Sequence, residues 1–148
     1  MAGGMNMKTV DLLLVEDNPG DVRLTEEALR DASMPVNLSV ATDGAEAIEF
    51  LHRRGKYKNA PRPDLILLDL NLPKKTGPEV LSDIKCDPDL KRIPVLVMTT
   101  SSEQDDVQKA YSLNANCYIT KPIQLDDFLN VVQSIENFWL KTALLPER

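Results

Sequence analysis

The stretch "LLLVEDN", residues 12–18, places two carboxylates, Glu16 and Asp17, directly behind four consecutive apolar residues. A run this short and this apolar reads as a strand buried on both faces, so the two acids mark its exit. Two like charges about 4 Å apart in protein surroundings repel by roughly 4 kcal/mol. Water at an open loop would offset that repulsion, and so would a bound cation. The rest of the chain has to decide between them.

Working outward, short apolar runs alternate with stretches of helical period, the pattern of a parallel sheet flanked by helices. The strands fall at Val10 to Glu16, Asn37 to Ala41, Asp64 to Asp69, Pro94 to Thr99 and Cys117 to Thr120. Between and after them, apolar stripes define five helices: Val22 and Leu29; Ala45, Ile48 and Leu51; Val80, Leu81 and Ile84; Val107, Ala110 and Tyr111; then Leu125, Phe128, Leu129, Val132 and Ile135. Turn chemistry separates them at Pro19-Gly20, Asp43-Gly44, Gly77-Pro78 and Asp87-Pro88. The expected fold is α/β, a five-stranded, doubly wound parallel sheet with five flanking helices. Asp43-Gly44 reads as a helix N-cap and turn, and the basic stretch "RRGKYKNAPRP" as a solvated connection before the third strand.

At 148 residues the chain fits one domain over 1–148, with a core at about 10–135 and an extended last helix and tail over 124–148. Its hydrophobic fraction of 43% is ordinary, and its longest apolar runs fall far short of the ~18 residues of a membrane span. "MAGGMNMKT" has no apolar segment of signal-peptide length, so a cytoplasmic location and no membrane partner are expected. A net charge of −6 argues against nucleic acid as a partner. Cys86 and Cys117 read as free buried thiols, and the single histidine, His52, as a helix-end residue.

In an open parallel sheet, ligands bind beyond the carboxyl ends of the strands, where the strand order reverses. Glu16 and Asp17 end the first strand and Asp69 ends the third, so a right-handed winding brings all three to one edge. Mg²⁺ accepts a few hard oxygen ligands and completes its shell with water and phosphate oxygens, which makes such a cluster tolerable. Thr99 ends the fourth strand with a hydroxyl. Lys121 follows the fifth, where its ammonium reaches the same edge as a phosphate counterion. Pro122 stiffens the turn behind it, in a trans or a cis peptide. Each of these residues alone has a bland reading, as a loop cap, a β-branched strand residue or a solvated lysine. Four coincident strand ends outweigh those readings.

"VEDN", "LLDLNLP", "VLVMTT" and "CYITKP" together resemble the receiver domain of two-component response regulators (a flavodoxin-like fold), from about Asp11 to Ile135. The resemblance implies that Asp69 accepts a phosphoryl group from a kinase phosphohistidine. It also implies that Asp17, Asp69 and the backbone carbonyl of Asn71 bind Mg²⁺, with Glu16 acting through the metal's waters. Lys121, Thr99 and Thr100 then face the phosphate, and Thr99 and Tyr118 form the switch pair. Receivers commonly carry alanine or glycine where this chain has Thr100, whose bulk crowds the incoming group. Longer stretches, "VEDNPGDVRLTEEAL", "RPDLILLDLNLPKKTG", "DLKRIPVLVMTTS", "NCYITKP" and "IENFWL", resemble the single-domain response regulators of cyanobacterial and bacterial phytochromes, implying a phytochrome-type histidine kinase as partner.

Two alternatives stand beside this reading: a receiver-like binding scaffold that takes no phosphate, and a Mg²⁺-dependent aspartyl phosphohydrolase. The second would show another aspartate at position 71, where this chain has Asn71. The last helix, read as running from Leu125 to Leu145 over about 30 Å, carries Phe128, Val131, Val132, Ile135, Phe138, Trp139 and Leu140 around more than one stripe. Either the tail folds back on its own domain, or Phe128, Phe138 and Trp139 form the contact of a homodimer; the second is the expectation.

Overall fold

The computed structural model describes residues 9–30, 35–122, 124–142 and 144–146. Five strands, β1 (Val10–Val15), β2 (Val36–Ala41), β3 (Leu65–Leu68), β4 (Val95–Thr99) and β5 (Cys117–Thr120), alternate with α1 (Pro19–Arg30), α2 (Gly44–Leu51), α3 (Gly77–Cys86), α4 (Gln104–Ser112) and α5 (Leu125–Ile135). All strand pairs are parallel, and the order across the sheet is β2-β1-β3-β4-β5. The chain thus steps from β1 to one side and afterwards builds toward the other, so the order reverses between β1 and β3.

The period-2 alternation of strand side chains explains both cores. Leu13, Val15, Ile66, Leu68, Val95 and Val97 point to one face and are covered by Ile48 and Leu51 of α2, Val80, Leu81 and Ile84 of α3 and Ala110 of α4. Leu12, Leu14, Leu65, Leu67, Leu96 and Met98 point to the other and meet Ala28 and Leu29 of α1 with Phe128, Val132 and Ile135 of α5. β1, β3 and β4 are buried along their whole length, as strands covered on both faces must be.

The sequence-based strand limits differ from the observed ones by one residue at five of the ten ends and agree at the others. Glu16 and Asp69 lie just past β1 and β3, yet their amides still donate to Ala41 O (2.9 Å) and Val15 O (3.1 Å). Asp43 caps α2 by accepting from Glu46 N (2.7 Å), and Thr76 with Glu79 forms a capping box on α3. Two glycines allow the β3–α3 loop to pack. A Cβ on Gly77 would stand 2.4 Å from Leu70 Cα, and one on Gly44 would stand 1.8 Å from Lys75 O.

The last helix departs from expectation. Regular α-helix stops at Ile135 and continues as a π-helix over Glu136–Thr142. The wider π turn changes which residues face the sheet. Trp139 and Leu145 pack against the α1/α5 core, while Phe138 stays 56% exposed, edge-on to Trp139 at 5.5 Å. Phe128, expected at a dimer contact, is instead 3% exposed and belongs to the core. The side chain of Leu140 and the segment "MAGGMNMK" lie outside the described residues. Cys86 is exposed rather than buried, and both cysteines are free. His52 is the C-cap of α2, its Nε2 3.1 Å from Asp83 Oδ1. The Lys121–Pro122 peptide is trans. No described helix is long and apolar enough to cross a membrane.

Candidate metal and phosphate site

Since β1 and β3 are neighbours at the reversal, their trailing acids converge. Glu16, Asp17 and Asp69 each offer a carboxylate oxygen, all within 4.8 Å of one another. Glu16 and Asp69 are buried, 2% and 7% exposed, while Asp17 faces solvent. Local hydrogen bonds hold the acids in place. Asn18 N donates to Glu16 Oε2 (3.1 Å), and Asn71 N donates to Asp69 Oδ1 (3.0 Å).

Lys121 enters from the end of β5, where its own amide donates to Thr99 O (2.6 Å) and so fixes the start of the side chain. Its ammonium donates to Glu16 Oε1 (2.5 Å), Asp21 Oδ2 (2.8 Å) and Asp69 Oδ2 (3.0 Å). Burial alone would lower the Lys121 pKa, but hydrogen bonds to Asp21, Glu16 and Asp69 outweigh it and push the ammonium above its ordinary range. Glu16 is pushed up to about 7, first by burial and further by the Asp69 charge, against the opposing Lys121 hydrogen bond. One ammonium therefore does not balance the acids. Three hard carboxylates this close form a donor set that fits a divalent cation.

Thr99, at the end of β4, is fully buried, and its Oγ1 has no hydrogen-bond partner among the described residues. Thr100 beside it is exposed. Tyr118, half-buried on β5, packs against the α2/α3/α4 core, and its hydroxyl donates to Ser101 O (2.8 Å) in the loop leading to α4. The structure therefore brings Glu16, Asp17, Asp69 and Lys121 together at one edge, with Thr99 and Tyr118 on the neighbouring strands.

Two residues of this edge were not picked out from sequence. Asp21 lies in the first turn of α1 and reaches Lys121 across 100 positions of chain. Asn18 accepts from Gly20 N (2.9 Å) and Asp21 N (3.2 Å) through Oδ1, which aims that turn. The available signal was the Asn-Pro-Gly-Asp spacing of a capped helix start, which explains an acid in the first turn without any reference to Lys121.

The family model for the response regulator receiver domain matches residues 12–133. Response regulator Rcp1 of Synechocystis sp. is 54% identical over 135 residues, spanning 91% of this chain and 92% of that protein. The crystal structure of Rcp1 in its Mn²⁺-bound form is similar with a TM-score of 0.91 and 53% identity, covering 93% of this chain and 99% of that one. The phosphorylated cyanobacterial phytochrome response regulator RcpA gives a TM-score of 0.92 at 52% identity, covering 95% of this chain and 100% of that one. Sheet order, acidic edge and family match agree: this chain belongs to the response regulator receiver family and is a receiver-domain response regulator homologous to Rcp1 and RcpA.

Proposed function

We propose that Asp69 is the phosphoacceptor and that the donor is the phosphohistidine of a phytochrome-type sensor histidine kinase. A carboxylate oxygen of Asp69 attacks phosphorus; the O–P bond forms as the P–N bond of the donor breaks, and the imidazole leaves with the electron pair. Mg²⁺, when bound, offsets negative charge on the phosphoryl oxygens. Asp17, Asp69 and the Asn71 carbonyl would hold it, with Glu16 acting through its waters. Lys121 supplies a fixed cation at the same edge. The observation that carries this reading is the convergence of Lys121 with Glu16 and Asp69, at 2.5 and 3.0 Å, at the point where strand order reverses.

On this reading the whole chain is a single receiver unit acting in the cytoplasm, with no substrate beyond its own phosphorylation and dephosphorylation. The buried Thr99 hydroxyl, short of a partner, turns to the phosphoryl group, and Tyr118 carries the change into the loop at Ser101. The exposed Phe138 and the half-buried Trp139 are the remaining candidates for a homodimer contact. Support for the kinase class comes from the similarity to RcpA, a cyanobacterial phytochrome response regulator, and to the bacteriophytochrome response regulator AtBRR, the latter 39% identical with a TM-score of 0.71.

Incubation with acetyl phosphate and Mg²⁺, followed by intact mass, tests the assignment. One added phosphoryl group is expected in the native chain and none in Asp69→Asn. Unchanged mass in the native chain would leave a binding scaffold, and multiple turnover of a small phosphoester would indicate a phosphohydrolase.

A further inference from the structure

We propose that Asp21 is a positioning residue that competes with the phosphoryl group for the Lys121 ammonium and so sets how tightly the site holds the phosphoryl group. This rests on Asp69 being the phosphoacceptor. A primary ammonium has three protons to donate, and in Lys121 all three have partners: Glu16, Asp21 and Asp69. The side chain is 5% exposed, so no proton is held in reserve toward water. To bond a phosphoryl oxygen on Asp69, Lys121 must release one of its three partners.

The three are not equivalent. Glu16 and Asp69 belong to the cluster that fits a divalent cation, so a bound cation offsets the charge they would lose contact with. Asp21 stands outside that cluster. Its backbone is held by Asn18 Oδ1 on its N–H and by the Thr25 hydroxyl on its carbonyl (2.8 Å), which keeps the carboxylate aimed at Lys121. After metal and phosphoryl group arrive, Asp21 is the competitor that remains, and it also carries the same sign of charge as the phosphoryl oxygens. Competition and repulsion act in one direction. Each weakens the hold of the site on the anion.

The test is the dissociation constant of beryllium trifluoride, a phosphoryl mimic, in saturating Mg²⁺, read by ¹⁹F NMR in the full chain. Asp21→Asn keeps the shape and a neutral acceptor, while Asp21→Ala removes both charge and acceptor. Binding about threefold tighter in Asp21→Asn and about tenfold tighter in Asp21→Ala is expected, with both gains shrinking at high salt. A purely structural role predicts native affinity in Asp21→Asn and weaker binding in Asp21→Ala, and either of those results overturns the proposal. The Mg²⁺-induced rise in melting temperature reports that each variant is folded and keeps its cation site. Native protein that fails to bind the mimic overturns the phosphoacceptor reading as well; native binding with unchanged variants overturns the role of Asp21 alone.

Discussion

Thr99→Val should shift the protein in opposite directions in its two states. In the ligand-free chain Thr99 is fully buried and its Oγ1 has no partner among the described residues. A buried hydroxyl left without a hydrogen bond costs about 1–3 kcal/mol. Valine has nearly the same shape, suits a strand at least as well, and places a methyl where the hydroxyl was. The low end of the range is the working value, because the hydroxyl can rotate within its site. Thr99→Val is then about 1 kcal/mol more stable, which for a chain of this size raises the melting temperature by roughly 3 °C.

With Mg²⁺ and beryllium trifluoride the sign reverses. A hydrogen bond from the hydroxyl to a charged acceptor contributes about 1.5–3 kcal/mol, so its loss weakens binding of the mimic by roughly 10- to 100-fold. Thermal melts of both proteins with and without the ligands read both effects at once. Thr99→Ser is the control: it keeps the hydroxyl, loses one buried methyl at about 0.8 kcal/mol, and should retain ligand affinity. A ligand-free Thr99→Val less stable than the native chain, or one that binds the mimic as tightly, refutes the switch role of the hydroxyl.

Two further perturbations probe the scaffold and the surface. Gly77→Ala puts a Cβ 2.4 Å from Leu70 Cα and 2.6 Å from Asp69 O, both backbone atoms. Urea denaturation should show a loss of about 3 kcal/mol, and acetyl phosphate labelling of Asp69 should slow about tenfold because its carbonyl must move. On the proposed dimer contact, the native chain should sediment as a dimer and Phe138→Glu as a monomer, with stability changed by under about 0.5 kcal/mol, since the ring is 56% exposed. Sedimentation unchanged by the substitution would remove Phe138 from the contact.

The parts of this molecule that could be read from sequence are those whose local pattern has one physical solution. "LLLV", "LILL" and "VLVM" are too short for membrane and too apolar for an exposed strand, so a two-sided core follows, and with it the convergence of Glu16, Asp17 and Asp69 at the strand ends. Asp21 and Gly77 were hidden for the opposite reason. Each already has a sufficient local explanation, an acid favoured at a helix start and a small residue before Pro78, so nothing in the sequence calls for a distant partner. The end of the chain failed in a third way. A period of 3.6 was carried past Ile135, but the π turn at Glu136–Thr142 breaks that period, turning Trp139 inward and leaving Phe138 outward. The same reasoning identifies which site residues bear on reactivity. Glu16 and Asp69 share the Lys121 ammonium and await a cation, whereas the Thr99 hydroxyl has no partner among the described residues and Asp21, on the proposal above, competes with the phosphoryl group for a Lys121 proton. On the proposed reading, substitutions at those two side chains are the ones that should separate mimic binding from folding, because neither belongs to the cluster that fits the cation.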